Sequence, residues 1–390
     1  MPAATCRRNE AGGRLNSSVI TAAPKPELSW SERLARWHFD LWLGLLLLAV
    51  SGLGLFVLYS ASGQSLPTVI SQAQRLAIGV AVMVVLAQAP PEFYRAAAPW
   101  FYGFALLLLL AVAALGQHAK GAQRWLDLGV MRFQPSELMK LATPIAVAAY
   151  LQSRHLPPSA GTLLVSLGLT LLPTALIAIQ PDLGTALLVL TAGVLALFFG
   201  GLRWRWILLA AAGVAGAAPL LWMKLHDYQR NRLLTFLDPE RDPLGAGYHI
   251  TQSKIAIGSG GLFGKGWLMG TQAKLDFLPE AHTDFIFAVY GEELGLIGVV
   301  LLLALYTAIV GRCLLIALRG QDTFQRLLAG SLGLTFFIYV FINCGMVIGL
   351  VPVVGVPLPL VSYGGTSMVS LLAGFGMLMS IQTHRKLLAS

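Results

Sequence analysis

The chain of 390 residues is 56% hydrophobic and only 12% charged, with a mean hydropathy of +0.71. Since soluble domains carry about 25% charged residues, this composition excludes a soluble globular enzyme and indicates a polytopic membrane protein. Its net charge of +9 is spread over many short loops, which argues against a nucleic-acid surface. The apolar runs are continuous rather than alternating, which favours helices over a β-barrel.

The N-terminal segment to Pro26 lacks an apolar run, so it is neither a signal peptide nor a span. We interpret residues 1–38 as a disordered cytoplasmic tail, and residues 39–390 as one transmembrane domain. The three cysteines have no metal-ligand or disulfide spacing, so no zinc or redox chemistry is indicated.

A membrane-spanning helix needs about 20 apolar residues. The chain offers ten candidates, which are Leu41–Ala61, Arg75–Ala89, Ala98–Gly116, Glu137–Leu151, Gly161–Ile179, Leu183–Gly200, Trp204–Met223, Asp284–Leu318, Leu327–Leu350 and Gly364–Thr383. The eighth is too long for one span, so we expect its first third to lie in the outer half of the protein. The predicted fold is therefore an all-α bundle of about ten transmembrane helices.

The distribution of Lys and Arg predicts the orientation of these helices. Placing the N-terminus in the cytoplasm puts most loop cations inside, and ten spans return the C-terminus to the same side. Residues 224–283 then form a long extracytoplasmic loop with no obvious secondary structure. Its aromatic and apolar residues, such as Tyr248, Phe263 and Trp267, predict an ordered loop that lies on the membrane face.

Asp284 lies where this loop meets the eighth hydrophobic segment, in the stretch LPEAHTDFIFAVYGEELG. Charged side chains at membrane depth cost about 2.5–3.5 kcal/mol each on insertion scales, so they are usually retained for a function. One interpretation makes Asp284 an N-cap carboxylate. In the other, helical spacing places it on one face with Ala288, Gly291 and Gly295, whose small side chains leave a groove for a neighbouring helix or a ligand. A partly desolvated carboxylate there suits a general base, with His282 as an orienting group.

Glu137 and Lys140, in FQPSELMK, lie three residues apart at the start of the fourth segment, a spacing that predicts an ion pair. A structural pair that neutralises two charges near lipid is the simpler interpretation, but Lys140 on the outer side could also attract an anionic headgroup. Asp182, in QPDLGT, fits a turn and cap residue. Its position on the same outer side keeps it a candidate for lining a site.

The cations Arg75, Lys120, Arg124 and Arg132 fall on or near the predicted outer surface. Arg and Lys side chains bind phosphate, so these residues are candidate anion ligands, Arg124 and Arg132 first, although each is also explained as a surface residue.

Two further loop motifs contain adjacent glycines. The segment VPVVGVPLPLVSYGGTS predicts a rigid connector that caps a cavity, in which Ser362 and Thr366 are candidate hydrogen-bond donors to sugar. The Gly-rich run GSGGLFGKG lacks the ending of a phosphate-binding loop, so we do not interpret it as one.

Together these segments resemble the SEDS family (shape, elongation, division and sporulation), most closely its rod-shape branch. The matching pieces are FQPSELMK, QPDLGT, RDPLGAGYHITQSKIAIGSGG, KGWLMGTQ, FLPEAHTDFIFAVYGEELG and PVVGVPLPLVSYGGTS, with HRK closing the chain. The resemblance runs from about Phe39 to the C-terminus, and no motif position is substituted.

The resemblance implies a ten-helix glycosyltransferase of the bacterial inner membrane that polymerises lipid II into peptidoglycan. It also implies a class B penicillin-binding protein with transpeptidase activity as partner. By motif, Asp284 aligns with the catalytic aspartate of the family, and Glu137 and Lys140 align with its cavity ion pair. Arg124, Arg132, Lys140 or a divalent cation (Mg²⁺ or Mn²⁺) would then hold the pyrophosphate.

Two other classes of function remain as alternatives. A lipid II flippase predicts a cavity that reaches both leaflets and charges near the bilayer midplane, whereas the candidates cluster at the outer end. A non-catalytic scaffold for the transpeptidase predicts that Asp284→Asn leaves cell shape intact.

Overall fold

The computed structural model describes residues 38–115, 117–119, 122–127, 132–224, 227–238, 245–275, 277–278 and 280–384. These residues form thirteen helices and three short strands. The helices are α1 (Leu41–Ala61), α2 (Leu66–Gln88), α3 (Pro91–Leu115), α4 (Pro135–Gln152), α5 (Ala160–Ile179), α6 (Leu183–Phe199), α7 (Trp204–Lys224), α8 (Asp227–Leu237), α9 (Ala246–Gly260), α10 (Thr271–Lys274), α11 (Ile286–Leu318), α12 (Thr323–Val347) and α13 (Thr366–Thr383). The strands are β1 (Gln117–Ala119), β2 (Ala122–Asp127) and β3 (Arg132–Phe133).

Helices occur at all ten predicted positions, as α1 to α7 and α11 to α13. Within the described residues, seven helices are long and apolar enough to cross a membrane, and α6 is apolar but shorter. The prediction of an all-α polytopic membrane protein is confirmed. Helix α4 is less apolar than these helices. It is surrounded by α3, α5, α6, α12 and α13 and is mostly buried, so it needs little lipid-facing apolar surface.

The two ends of the helical domain lie on the same side of the bundle. The His38 ring, before α1, stacks on the His384 ring, after α13, with 3.7 Å between centroids. Nearby, Arg312 of α11 forms a 2.7 Å ion pair with Asp40, the N-cap residue of α1. Ends on the same side require an even number of membrane crossings, as the ten predicted spans have. The predicted tail falls mostly on residues 1–37, which lie outside the described residues, so its disorder stays a prediction.

The long loop after α7 has more regular structure than its sequence indicated. It contains α8, α9 and α10, and α9 packs against α11 and α12. The small antiparallel sheet β1–β2–β3 between α3 and α4 was also not predicted. Its strands of 3, 6 and 2 residues are too short for a periodic pattern to be recognised.

Helix α11 is broken at Gly295, which has φ 65° and ψ −165°. Residues 286–293 before the break are all buried, so this first part packs against other helices, whereas its location in the outer half stays a prediction. Of the two predicted occupants of the groove beside Gly291 and Gly295, the structure shows a neighbouring helix. A Cβ on Gly291 would lie 3.2 Å from Cγ1 of Ile257 in α9, and one on Gly295 would overlap the backbone of Gly264. The small residues admit a neighbouring helix and its loop.

Candidate active site

Asp284 lies in the turn before α11, and its carboxylate faces a glycine. The N-cap interpretation is wrong, because α11 begins at Ile286 and Phe285 holds the N-cap position. The Asp284 side chain is half-buried, and its Oδ2 lies 3.5 Å from the place that a Cβ would occupy on Gly355. Gly355 has φ +73°, a conformation that favours glycine. The absent side chain leaves space beside the carboxylate.

Three consecutive carbonyls fix the backbone of this turn. Asn343 of α12 donates from Nδ2 to the oxygen of Asp284 at 2.9 Å and to that of Val356 at 2.7 Å. The Ser362 hydroxyl donates to the Thr283 oxygen at 2.6 Å, and the Tyr363 N–H to the His282 oxygen at 2.9 Å. The position of Asp284 is therefore set by α12 and by the α12–α13 connector (residues 348–365).

Ser362 is occupied by these internal bonds. It is 3% exposed, and its hydroxyl also accepts from the Leu358 N–H at 2.7 Å. The expectation that Ser362 donates to sugar is wrong, because its proton is directed to the Thr283 carbonyl. His282 lies beside Asp284 as expected, with its ring edge-on to Tyr363 at 6.0 Å between centroids.

Arg75 of α2 reaches the same connector. Its guanidinium carbon lies 4.5 Å from the centroid of the Tyr363 ring, a cation–π contact that orients the side chain. Gln72, one turn earlier, donates to the Ser362 carbonyl at 2.9 Å and so holds α2 against the connector. The fold thus brings Arg75 and Asp284 against one segment, although 209 positions separate them in the numbering of the sequence.

Glu137 and Lys140 form the predicted ion pair, with 2.6 Å between Oε2 and Nζ. Both are buried, at 5% and 6% exposure. Ser370 donates to Glu137 at 2.7 Å, and Lys140 lies 4.9 Å from the centroid of the Tyr339 ring. The predicted ion pair is confirmed. Lys140 also lines a cavity between α4, α12 and α13, and its attraction of an anionic headgroup stays a prediction.

One face of α12 joins the two polar groups. Tyr339 contacts Lys140, and Asn343, one helical turn later, holds the backbone of Asp284. Residues four apart lie one above the other on a helix. A displacement of α12 would therefore change both groups.

The structure describes the remaining predicted residues only in part. Asp182 caps α6 by accepting from the Thr185 N–H at 3.3 Å, and it accepts from Gln134 at 2.7 Å, which confirms the cap interpretation. Arg124 lies in β2 and Arg132 in β3, while their side chains and Lys120 lie outside the described residues. Their role in binding phosphate stays a prediction. Among the described residues, no group of three or more His, Cys, Asp or Glu could hold a metal ion.

Sequence reasoning missed Asn343, Tyr363 and His249, whose ring stacks on Phe285 at 5.5 Å. Asn343 had a usable signal, because an amide inside an apolar run is costly in a membrane and needs a partner. Tyr363 and His249 had none, since loop and interface positions accept both residue types.

Comparisons with known proteins agree with this architecture. The family model described as cell cycle protein (FtsW/RodA/SpoVE) matches residues 37–387. The chain is 53% identical over 371 residues to the peptidoglycan glycosyltransferase MrdB of Escherichia coli K12, covering 95% of this chain and 99% of MrdB. It is 38% identical to a probable peptidoglycan glycosyltransferase FtsW of Alkalilimnicola ehrlichii, covering 93% and 94%.

Solved structures give the same result. A chain from a study of a peptidoglycan synthase complex that coordinates polymerization and crosslinking superposes with a TM-score of 0.79 and 34% identity, covering 88% of this chain and 97% of that one. The rod-shape-determining protein RodA of Thermus thermophilus superposes with a TM-score of 0.69 and 31% identity, covering 89% and 98%. The protein therefore belongs to the FtsW/RodA/SpoVE family, the SEDS family that its motifs resemble.

Proposed function

We propose that the protein is a peptidoglycan glycosyltransferase that polymerises lipid II for cell-wall elongation and rod shape, with Asp284 as general base. The observation that carries the proposal is the placement of Asp284, whose backbone is fixed by Asn343 and whose carboxylate lies beside Gly355. The similarity to MrdB of Escherichia coli, a named peptidoglycan glycosyltransferase, supports the substrate class.

In the proposed reaction, the Asp284 carboxylate takes the proton of the 4-hydroxyl of the acceptor N-acetylglucosamine. The freed oxygen attacks the anomeric carbon of the lipid-linked N-acetylmuramic acid, and undecaprenyl pyrophosphate leaves with the bonding electron pair and with inversion at that carbon. General-base assistance is worth about 10²–10⁴-fold, so positioning and stabilisation of the leaving group must supply the remaining acceleration.

Cations at the connector suit the leaving pyrophosphate. Arg75 lies against Tyr363, and the planar guanidinium group suits a fork-like contact to phosphate. Arg124 and Arg132 are further candidates, and a divalent cation is the alternative. Chelation by EDTA separates the two cases. Retained activity supports protein cations, whereas loss that Mg²⁺ or Mn²⁺ restores supports a metal.

The proposal extends to location and partner. A multi-pass helical protein with this similarity fits the bacterial inner membrane, with the site on the periplasmic side. The likeness to a chain of a peptidoglycan synthase complex supports a class B penicillin-binding protein as partner. Joint synthesis by the two proteins would place new strands next to a transpeptidase.

Polymerisation of lipid II by the purified protein with this partner tests the assignment. We expect wild type to form glycan strands and Asp284→Asn to form almost none. The matched control is Asp322→Asn, the same change at the N-cap of α12. Normal polymerisation by Asp284→Asn would remove Asp284 from the reaction, whereas no polymerisation by wild type with this partner would favour a scaffold. Translocation of fluorescent lipid II in liposomes without polymerisation would favour a flippase.

A further inference from the structure

The break in α11 leaves backbone groups without helical partners, and the α9–α10 loop (residues 261–270) supplies them. Before the break, the carbonyls of Glu292 and Glu293 accept from the N–H groups of Lys265 and Gly266, both at 3.0 Å. After it, the N–H groups of Leu296 and Ile297 donate to carbonyls of the loop at 2.9 and 3.2 Å. Unpaired backbone groups are costly in a membrane, so these four bonds stabilise the break.

Glycines permit this approach of backbone to backbone. A Cβ on Gly260 would overlap the Gly291 carbonyl, and a Cβ on Gly264, which has φ +81°, would overlap the Glu293 carbonyl. A Cβ on Gly295 would likewise overlap the backbone of Gly264. The Gly-rich run GSGGLFGKG, which has no phosphate-loop ending, is therefore explained by its pairing with the broken helix.

A buried carboxylate fastens the same loop. Glu292 is fully buried, and its Oε1 accepts from Lys265 Nζ at 2.7 Å and from the N–H and hydroxyl of Thr271 at 2.8 and 2.9 Å. Its Oε2 accepts from the Gln272 N–H at 3.2 Å. The adjacent Glu293 accepts from the Ser60 hydroxyl of α1. The two acids thus join α11, α10, the loop and α1.

The distance from this junction to Asp284 is short. Glu292 follows Asp284 by eight positions in the sequence, and residues 286–291 between them are buried helix. At 1.5 Å per residue this helical segment is about 9 Å long. Asn343 and Ser362 hold the backbone just before its N-terminal end. The contacts of Glu292 hold its C-terminal end.

We propose that Glu292 and Lys265 are positioning residues for Asp284, acting through this short helical segment; the inference rests on the proposed function. With the ion pair intact, the loop holds the segment at the break and the carboxylate of Asp284 at the connector. Without it, the segment can shift, and a misplacement of about 1 Å can cost about 10²-fold in rate.

Lys265→Met and Glu292→Gln test this role in the lipid II polymerisation assay. We expect kcat to fall by about 10- to 100-fold while KM for lipid II changes less than about twofold, because the substrate groups are untouched. The control is Arg319→Met, which removes an exposed cation at the other end of α11. Amide exchange at Leu296 and Ile297 should become faster in both variants, independently of activity.

A covalent replacement of the ion pair separates positioning from general instability. The 3.0 Å bond from Lys265 N to Glu292 O brings the two backbones to strand-like distance, which suits a disulfide. Lys265→Cys with Glu292→Cys, with the three native cysteines replaced, should be slow when reduced and regain activity when oxidised. Neither single substitution should respond to oxidation.

The outcomes distinguish this inference from the proposed function. Wild-type kcat in Lys265→Met and Glu292→Gln, with Asp284→Asn inactive, would overturn the positioning role alone. A double-cysteine variant whose kcat stays low after oxidation would also overturn the positioning role. Normal activity of Asp284→Asn would overturn the catalytic assignment and the inference with it.

Discussion

The ion pair of Glu137 and Lys140 and the turn at Asp284 are two solutions to placing an acid in an apolar bundle. At the ion pair, side chains neutralise the acid, through Lys140 and through Ser370. At the turn, hydrogen bonds hold the backbone, and the carboxylate lies beside a glycine. We expect the first arrangement to stabilise the fold and the second to position a side chain for the proposed chemistry. Substitutions should therefore affect stability at one and rate at the other.

The largest expected effect is at the turn. Asp284→Asn should lower kcat for lipid II polymerisation by about 10²–10⁴-fold, because the amide cannot accept the proton. The free energy of unfolding in detergent, measured by thermal unfolding, should change by less than about 0.5 kcal/mol. The substitution keeps the shape of the side chain and the hydrogen bonds of the backbone. Unfolding of Asp284→Asn at a much lower temperature would break the comparison, because it would make this acid structural too.

Lys140→Met should give the opposite result at the ion pair. It leaves a buried carboxylate without its cation, which costs about 3–5 kcal/mol of folding free energy. Thermal unfolding and the yield of folded protein measure this loss. Adding Glu137→Gln should restore part of the stability, because the buried charge is then gone. A stable but inactive Lys140→Met would place the ion pair in the chemistry instead.

Asn343→Ala should have an intermediate effect on both quantities. It removes the donor to the Asp284 and Val356 carbonyls, and an unsatisfied buried polar group costs about 1–3 kcal/mol. We expect polymerisation to slow by about tenfold, since the turn loses one of its three fixed carbonyls. Asn343→Leu, which is close in size but has no donor, should behave similarly. An unchanged rate in both variants would show that Ser362 and Tyr363 suffice.

The smallest expected effect is at Arg75. Arg75→Gln should raise KM for lipid II by about tenfold with little change in stability, because a charge-assisted contact to phosphate is worth about 1.5 kcal/mol or more. The matched control is Arg154→Gln, which removes another Arg stacked on a tyrosine, at 5.2 Å from the Tyr150 centroid. Equal effects of the two substitutions would argue against a substrate contact at Arg75.

Much of the fold could be predicted from local signals. The lengths of the apolar runs located ten helices, but several predicted ends were wrong. The second helix begins at Leu66 rather than Arg75, because its first turns contain polar residues that the apolar run does not include. The Glu137–Lys140 pair was predictable because a spacing of three is a local property of a helix. The environment of Lys140 was not, since it depends on α12 and α13, which lie far away in the chain.

The site divides in the same way. Composition and hydropathy determine that the chain spans a membrane, and the position of Asp284 after a polar loop marks it as unusual, because charge in an apolar setting is costly whatever the fold. The N-cap interpretation of Asp284 is wrong, and Ser362 donates to a backbone carbonyl rather than to sugar. Both outcomes depend on contacts with the connector. The break at Gly295 and its pairing with residues 261–266 arise only in three dimensions. Hydrogen bonds between distant segments have no periodicity, so the assembled bundle alone decides which polar groups meet.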